Sequence, residues 1–163
     1  MTTVALSWRE VRLAAFAACD LRIMHLHRGT PDHHGRPSRD RGWEVDIVGT
    51  LGEWVVAKMF DTYWQGAMPK TDSDGDVACL QVRSTTLDHG GLIVYRDDPE
   101  DVPFILVTGI PPHFHVPGWI SGADAKQERW WRTDFHDPAY LVPQASLRSV
   151  DELLSVSPKE SAR

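Results

Sequence analysis

Four side chains between Gly49 and Thr86 are of the types that manage a metal ion and a phosphate: Glu53, Asp76, Gln81 and Arg83. Two carboxylates and a carboxamide offer hard oxygen atoms, which suit a divalent cation such as Mg²⁺. A guanidinium is permanently charged and presents paired N–H donors that can grip a phosphate bidentately. These groups fall on two stretches of chain. Glu53 lies in Gly49-Thr-Leu-Gly-Glu53-Trp-Val-Val-Ala-Lys58, and the other three lie in Asp76-Val-Ala-Cys-Leu-Gln81-Val-Arg83-Ser-Thr-Thr86.

The elements that must position them can be read from periodicity. Val45 to Phe60 predicts a helix that is apolar around most of its circumference, with Asp46, Thr50, Trp54, Lys58 and Asp61 forming a wet face at spacings of three and four. Glu53 falls at the margin of that face, beside Gly49, Ala57 and Phe60, where a carboxylate is costly unless something cationic meets it. Val77 to Thr86 predicts a strand, bounded by Gly75 and the turn Asp88-His-Gly-Gly91. Alternation places Gln81 and Arg83 on one face with Val77 and Cys79, and turns Leu80 and Val82 toward a core. Asp76 has the opposite parity to Gln81, so it reaches that face only through a turn or bulge, which Gly75 permits.

A helix carboxylate, an Asp at the start of a strand, and an amide two residues before a base resemble the PD-(D/E)XK nuclease superfamily over roughly Gly49 to Gly122. The chain is most similar to small phage-encoded members with a Glu-Val-Arg or Gln-Val-Arg strand followed by a Gly-Trp-Ile strand, here Gly118-Trp-Ile120. The resemblance implies a restriction-endonuclease-like core. It makes Glu53 the helix carboxylate, Asp76 the metal-binding aspartate and Gln81 the second ligand, and it puts Arg83 at the lysine position. It implies Mg²⁺ or Mn²⁺ as cofactor, DNA as substrate, phosphodiester hydrolysis as the reaction, and the cytoplasm of a bacterial host as the location. Arg83 departs from the family's lysine, and the gap from Asp76 to Gln81 is shorter than is typical. A guanidinium with a pKa above about 12 is a poor general base, so the implied cleavage is slow and Arg83 clamps the phosphate or stabilises its charge.

Composition bounds these readings. A chain of 163 residues fits one domain, expected over residues 1–154 with a polar tail at 155–163. Hydrophobic residues at 42% and charged residues at 25% are ordinary for a globular protein, and no apolar run approaches a membrane span. The first ten residues lack the basic start and cleavage pattern of a signal peptide. Cys19 and Cys79 are expected as buried thiols. The net charge of −6 opposes binding to a polyanion unless the basic residues cluster, as Arg28, Arg36, Arg39 and Arg41 do along the sequence.

Two alternatives follow from that conflict. One is a catalytically inactive nucleic-acid-binding homologue; the other is an acidic phage protein that binds and inhibits a host protein.

The remaining chain supplies scaffold. Ser7-Trp-Arg-Glu10 has capping-box spacing, and Trp8, Val11, Ala15, Phe16, Cys19, Ile23 and Leu26 predict the buried side of a helix to about His27. Gly29 to Gly42 reads as a polar loop. Its His33 and His34, with His25 and His27, lack cysteine partners at zinc spacing. Asp72-Ser-Asp74-Gly-Asp76 is not an EF-hand, because Val77 and Arg83 stand where glycine and glutamate are needed; Asp74 is the substitute ligand should Asp76 point away. Leu92–Tyr95, Val102–Thr108 and His113–Ile120 predict strands, with Phe104 to Val107 covered on both faces. A short helix is expected over Ala123–Trp131, with Trp130 and Trp131 packing on the core or stacking on an unpaired base. Tyr140–Pro143 predicts an edge strand and Val150–Leu154 a last helix. The expected fold is α/β or α+β, a single domain with a central mixed β-sheet flanked by helices.

Overall fold

The computed structural model describes residues 1–29, 42–64, 66 and 75–156. The arginines at 36, 39 and 41, His33, His34, Asp72, Asp74 and the tail from 157 lie outside the described residues.

Strand β1 (Thr2–Ala5) leads into helix α1 (Trp8–Arg28), and helix α2 covers Gly42–Met59. Strands β2 (Gln81–Thr85), β3 (Leu92–Tyr95), β4 (Pro103–Ile110) and β5 (His113–Ser121) follow. After them come the one-turn helix α3 (Gly122–Ala125), a tight turn at Glu128–Trp130, strands β6 (Trp131–Arg132) and β7 (Ala139–Val142), and helix α4 (Val150–Val156). The fold is mixed α/β, as the sequence predicts. β1, β5, β4 and β2 form a four-stranded sheet in that order, and β3, β7 and β6 form a smaller one. β2 runs parallel to β4, whereas β5 is antiparallel to both β4 and β1.

Alternation along β4 explains why there are two cores. Ile105 and Val107 pack with Leu51, Val55 and Val56 of α2 and with Val82 of β2. Phe104 and Leu106 pack with Leu92, Val94 and Val142 of the smaller sheet and with Trp130 of the turn before β6. The larger sheet is thus covered on both faces, which is why Phe104 to Val107 reads as an unbroken apolar run. A register shift between Leu106 and Thr108 interrupts the β4–β5 ladder. Beyond it β5 changes face, sending Phe114 and Val116 to the helix side and Ile120 to the other.

The capping box forms: Glu10 N–H donates to Ser7 Oγ, and Ser7 N–H donates to Glu10 Oε2. The buried side of α1 differs from the expected one. Ala14, Ala18 and Arg22 are buried, whereas Trp8, Phe16, Ile23 and Leu26 are each more than half exposed. Small residues four apart let α1 lie close to α2, a geometry the bulky residues would prevent. Gly42 of α2 completes the fit, since a Cβ there would collide with the Arg22 guanidinium, which lies 3.7 Å from Asp46. Thr50, expected on the wet face of α2, is also buried.

Two further expectations differ from the structure. Tyr140–Pro143 was expected at an edge, but β7 is the central strand of the smaller sheet, because the two-residue β6 pairs on its outer side. Ala123–Trp131 is not one helix; it breaks into α3, a turn and the start of β6. β1 has no counterpart in the sequence reading. Among the described residues, no helix is long and apolar enough to cross a membrane.

Candidate functional site

The strand expected from Val77 begins only at Gln81, and the four residues before it form a hairpin of their own. Leu80 N–H donates to Val77 O at 2.8 Å, and Val77 N–H donates to Leu80 O at 3.2 Å. The central residues Ala78 and Cys79 both hold positive φ, at 50° and 64°. Positive φ at both central positions is the signature of a type I′ turn, which favours Asn-Gly rather than Ala-Cys. Gly75 lies against this turn: a Cβ there would sit 2.7 Å from the Cys79 carbonyl carbon. Hence Val77 is buried and Cys79 is exposed, and neither shares a face with Gln81.

This turn settles the parity of Asp76. Its N–H donates to Leu80 O at 2.7 Å, and its Oδ2 accepts from Val82 N–H at 2.7 Å. Val82 N is bonded to the Gln81 carbonyl carbon, so the carboxylate lies alongside the Gln81 backbone. β2 is an edge strand of its sheet, and Asp76 occupies that edge.

Gln81 and Arg83 are brought together on the face turned toward the smaller sheet. Arg83 Nη1 is 3.5 Å from Gln81 Oε1, and the guanidinium lies 5.0 Å from the Phe104 ring centroid. Its Nε donates to Ile93 O, and its Nη2 lies 2.9 Å from both carboxylate oxygens of Asp98. Lys126 Nζ in turn donates to Asp98 O at 2.6 Å and to Arg96 O at 2.9 Å.

Glu53 approaches β2 from the other layer. The preceding Gly52 is where α2 touches the strand, since a Cβ there would overlap the Ser84 hydroxyl and reach Val82 Cγ1 at 3.4 Å. Val82 and Ser84 face the helices, and Gln81 and Arg83 face away. Glu53 Oε2 accepts from Trp64 Nε1 at 3.0 Å, and Trp64 packs on Trp54 with ring centroids 4.6 Å apart. Glu53 and the Gln81–Arg83 pair therefore flank β2 from its two faces, with Asp76 on the edge between them.

Asp98 and Trp64 are the partners that sequence reasoning missed. Asp98 lies between two predicted strands, and no spacing rule couples it to Arg83. Trp64 offered an indole N–H eleven residues beyond Glu53, outside any helical neighbour relation. His113 and His115 lie in β5, where His115 Nδ1 is 3.2 Å from Thr3 Oγ1.

Among the described residues, no three histidine, cysteine, aspartate or glutamate side chains group so as to hold a metal ion. The expected set is of another kind, two carboxylates and an amide. Hard oxygen atoms of this type suit a cation such as Mg²⁺, but only Asp76 and Gln81 are adjacent; Glu53 lies across β2, on the side of the helices. Comparison with protein-family models, with curated proteins and with solved structures finds no match to this chain.

Proposed function

We propose that the chain is a divalent-metal-dependent DNA endonuclease that hydrolyses phosphodiester bonds, with Asp76 and Gln81 as direct metal ligands and Glu53, from the other face of β2, acting through water. The observation that supports this reading most is the placement of Asp76. The Val77–Leu80 turn carries its carboxylate out of strand parity and onto the edge of β2, next to Gln81. At an edge, an extended polyanion can reach the carboxylate without the sheet having to open. Mg²⁺ or Mn²⁺ held there would supply Lewis acidity at a scissile phosphate. The protein's own groups position the site. Val82 N–H orients Asp76, Arg83 Nη1 faces the Gln81 amide oxygen, and Trp64 Nε1 orients Glu53.

One observation favours a second reading, binding without cleavage. Arg83 stands where the resembled family has a lysine, and its guanidinium is engaged by Asp98. A residue so held organises β2 rather than activating water.

The test is incubation of the protein with supercoiled, linear and single-stranded DNA in Mg²⁺ or Mn²⁺, beside an Asp76→Ala variant. Metal-dependent nicking by the wild type, lost in the variant, is the expected result. Equal nicking by both proteins removes Asp76 from the mechanism. DNA binding that is indifferent to EDTA and unaccompanied by nicking supports the second reading.

A further inference from the structure

A cavity of about 440 Å³ opens beside β6 and β7, away from the Asp76 edge. Its lining includes His89, Arg129, Trp130, Arg132, Leu141 and Gln144, and no carboxylate. Two guanidiniums and an imidazole around one hollow are unexpected on a chain of net charge −6. The walls are also braced. Gln144 Nε2 donates to Asp88 O at 2.8 Å and to Gly90 O at 2.9 Å, which fixes the turn that carries His89. The Arg129 guanidinium lies 4.4 Å from the ring centroid of the buried Trp130 indole, and the side chain is exposed. Arg132 is fastened to Asp134 through Nε and Nη2, at 2.9 and 2.8 Å, so Nη1 lies outside that pair.

We propose that this cavity binds the phosphate group of a nucleotide, free or at the end of a nucleic-acid strand, with Arg129 and Arg132 as the anion contacts. The volume suits a nucleotide better than a bare anion, since small-molecule sites begin at roughly 300 Å³. Leu141 and Trp130 give it an apolar floor. Guanidinium planes accept stacked bases, so an exposed Arg129 can meet both the phosphate charge and the ring system. The site shares no residue with Asp76, Gln81, Arg83 or Glu53 and does not depend on the nuclease reading.

Calorimetric titration in EDTA tests this with adenosine monophosphate, adenosine, inorganic phosphate, and a short oligodeoxynucleotide with and without a terminal phosphate. The phosphorylated probes are expected to bind, and adenosine to bind roughly tenfold more weakly or worse, as loss of a charge-assisted contact implies. Arg129→Gln and Arg132→Gln should each weaken binding roughly tenfold. Arg148→Gln, which removes an exposed charge elsewhere, should leave it unchanged. Both cavity arginines are exposed, and near-ultraviolet circular dichroism verifies that the variants keep their packing. Preference for the phosphorylated strand over the mononucleotide identifies a strand end as the source, and equal affinity identifies the free nucleotide. If no phosphate-bearing probe binds, or if the cavity variants bind as tightly as wild type, the proposal is overturned. Asp76→Ala should bind like wild type, so loss of cleavage and loss of binding are read separately.

Discussion

Arg83 Nη2 sits 2.9 Å from each carboxylate oxygen of Asp98, and Asp98 Oδ2 also accepts Tyr95 N–H at 2.8 Å. One carboxylate thereby ties the edge strand β2 to the loop that follows β3. The two side chains are only 24% and 17% exposed, so removing one strands the other with little water to replace it. Asp98→Ala should cost about 2 kcal/mol, less than the roughly 3–5 kcal/mol of a fully buried pair because both groups keep some solvent. Urea denaturation of the two single variants and of the Arg83→Ala/Asp98→Ala double variant measures the coupling. Strict additivity would show that the contact contributes nothing beyond each side chain alone.

The pair also marks how far the sequence could be read. Local rules located the capping box at Ser7, the strands β3 to β5, and the need for a turn between Asp76 and Gln81, since each depends on residues a few positions apart. They could not foresee the Arg83–Asp98 contact, which joins residues fifteen apart through the arrangement of two sheets. Nor could they orient α1. An apolar moment drawn through Trp8, Phe16 and Ile23 competes with an alanine row at Ala14 and Ala18, and close packing on α2 selects the small residues. β6 escaped because a strand of two residues is too short for alternation to stand out.

Gly52 allows α2 to touch β2. An added Cβ would overlap the Ser84 hydroxyl and lie 2.9 Å from Ser84 Cβ, and a side chain that short has nowhere to swing. Gly52→Ala should therefore destabilise the fold by about 1–3 kcal/mol, despite alanine's better helix propensity. Adding Ser84→Gly should restore part of the loss. Thermal unfolding of the single and double variants checks this, and a Gly52→Ala protein as stable as wild type would refute the close approach.

Glu10 carries the clearest pH dependence. Burial alone would raise its carboxyl, but hydrogen bonds from Lys58 and Ser7 and the Lys58 charge outweigh that and lower it from 4.5 to about 2. Lys58 Nζ is 2.9 Å from both Glu10 oxygens and 3.0 Å from Ala5 O, joining α1, α2 and β1. A carboxylate depressed in the folded state stabilises above its unfolded pKa, and that contribution is lost as the pH falls from 4.5 toward about 2. The stability gap between wild type and Glu10→Gln should be full near pH ~6 and much smaller near pH ~3, as read from urea midpoints. A gap that stays constant across this range would mean that the Lys58 contact does not set the Glu10 titration.

The turn that places Asp76 is built from residues poorly suited to it. Left-handed backbone costs a residue with a Cβ roughly 1–2 kcal/mol, and Ala78 and Cys79 both adopt it, at φ 50° and 64°. Ala78→Asn with Cys79→Gly supplies the pair that a type I′ turn prefers, offset in part by the greater freedom of glycine in the unfolded chain. The net gain should be about 1 kcal/mol, or about 2–4 °C in Tm for a chain of this size. Because Asp76 is held by Leu80 O and Val82 N–H rather than by the turn side chains, its carboxylate should stay where it is. Asp76→Ala, in contrast, leaves Val82 N–H without that acceptor and should lower the Tm. A turn variant that melts below wild type would mean the strain is offset by contacts of Ala78 or Cys79, and the hairpin would then be a structural requirement of the Asp76 edge rather than a tolerated defect.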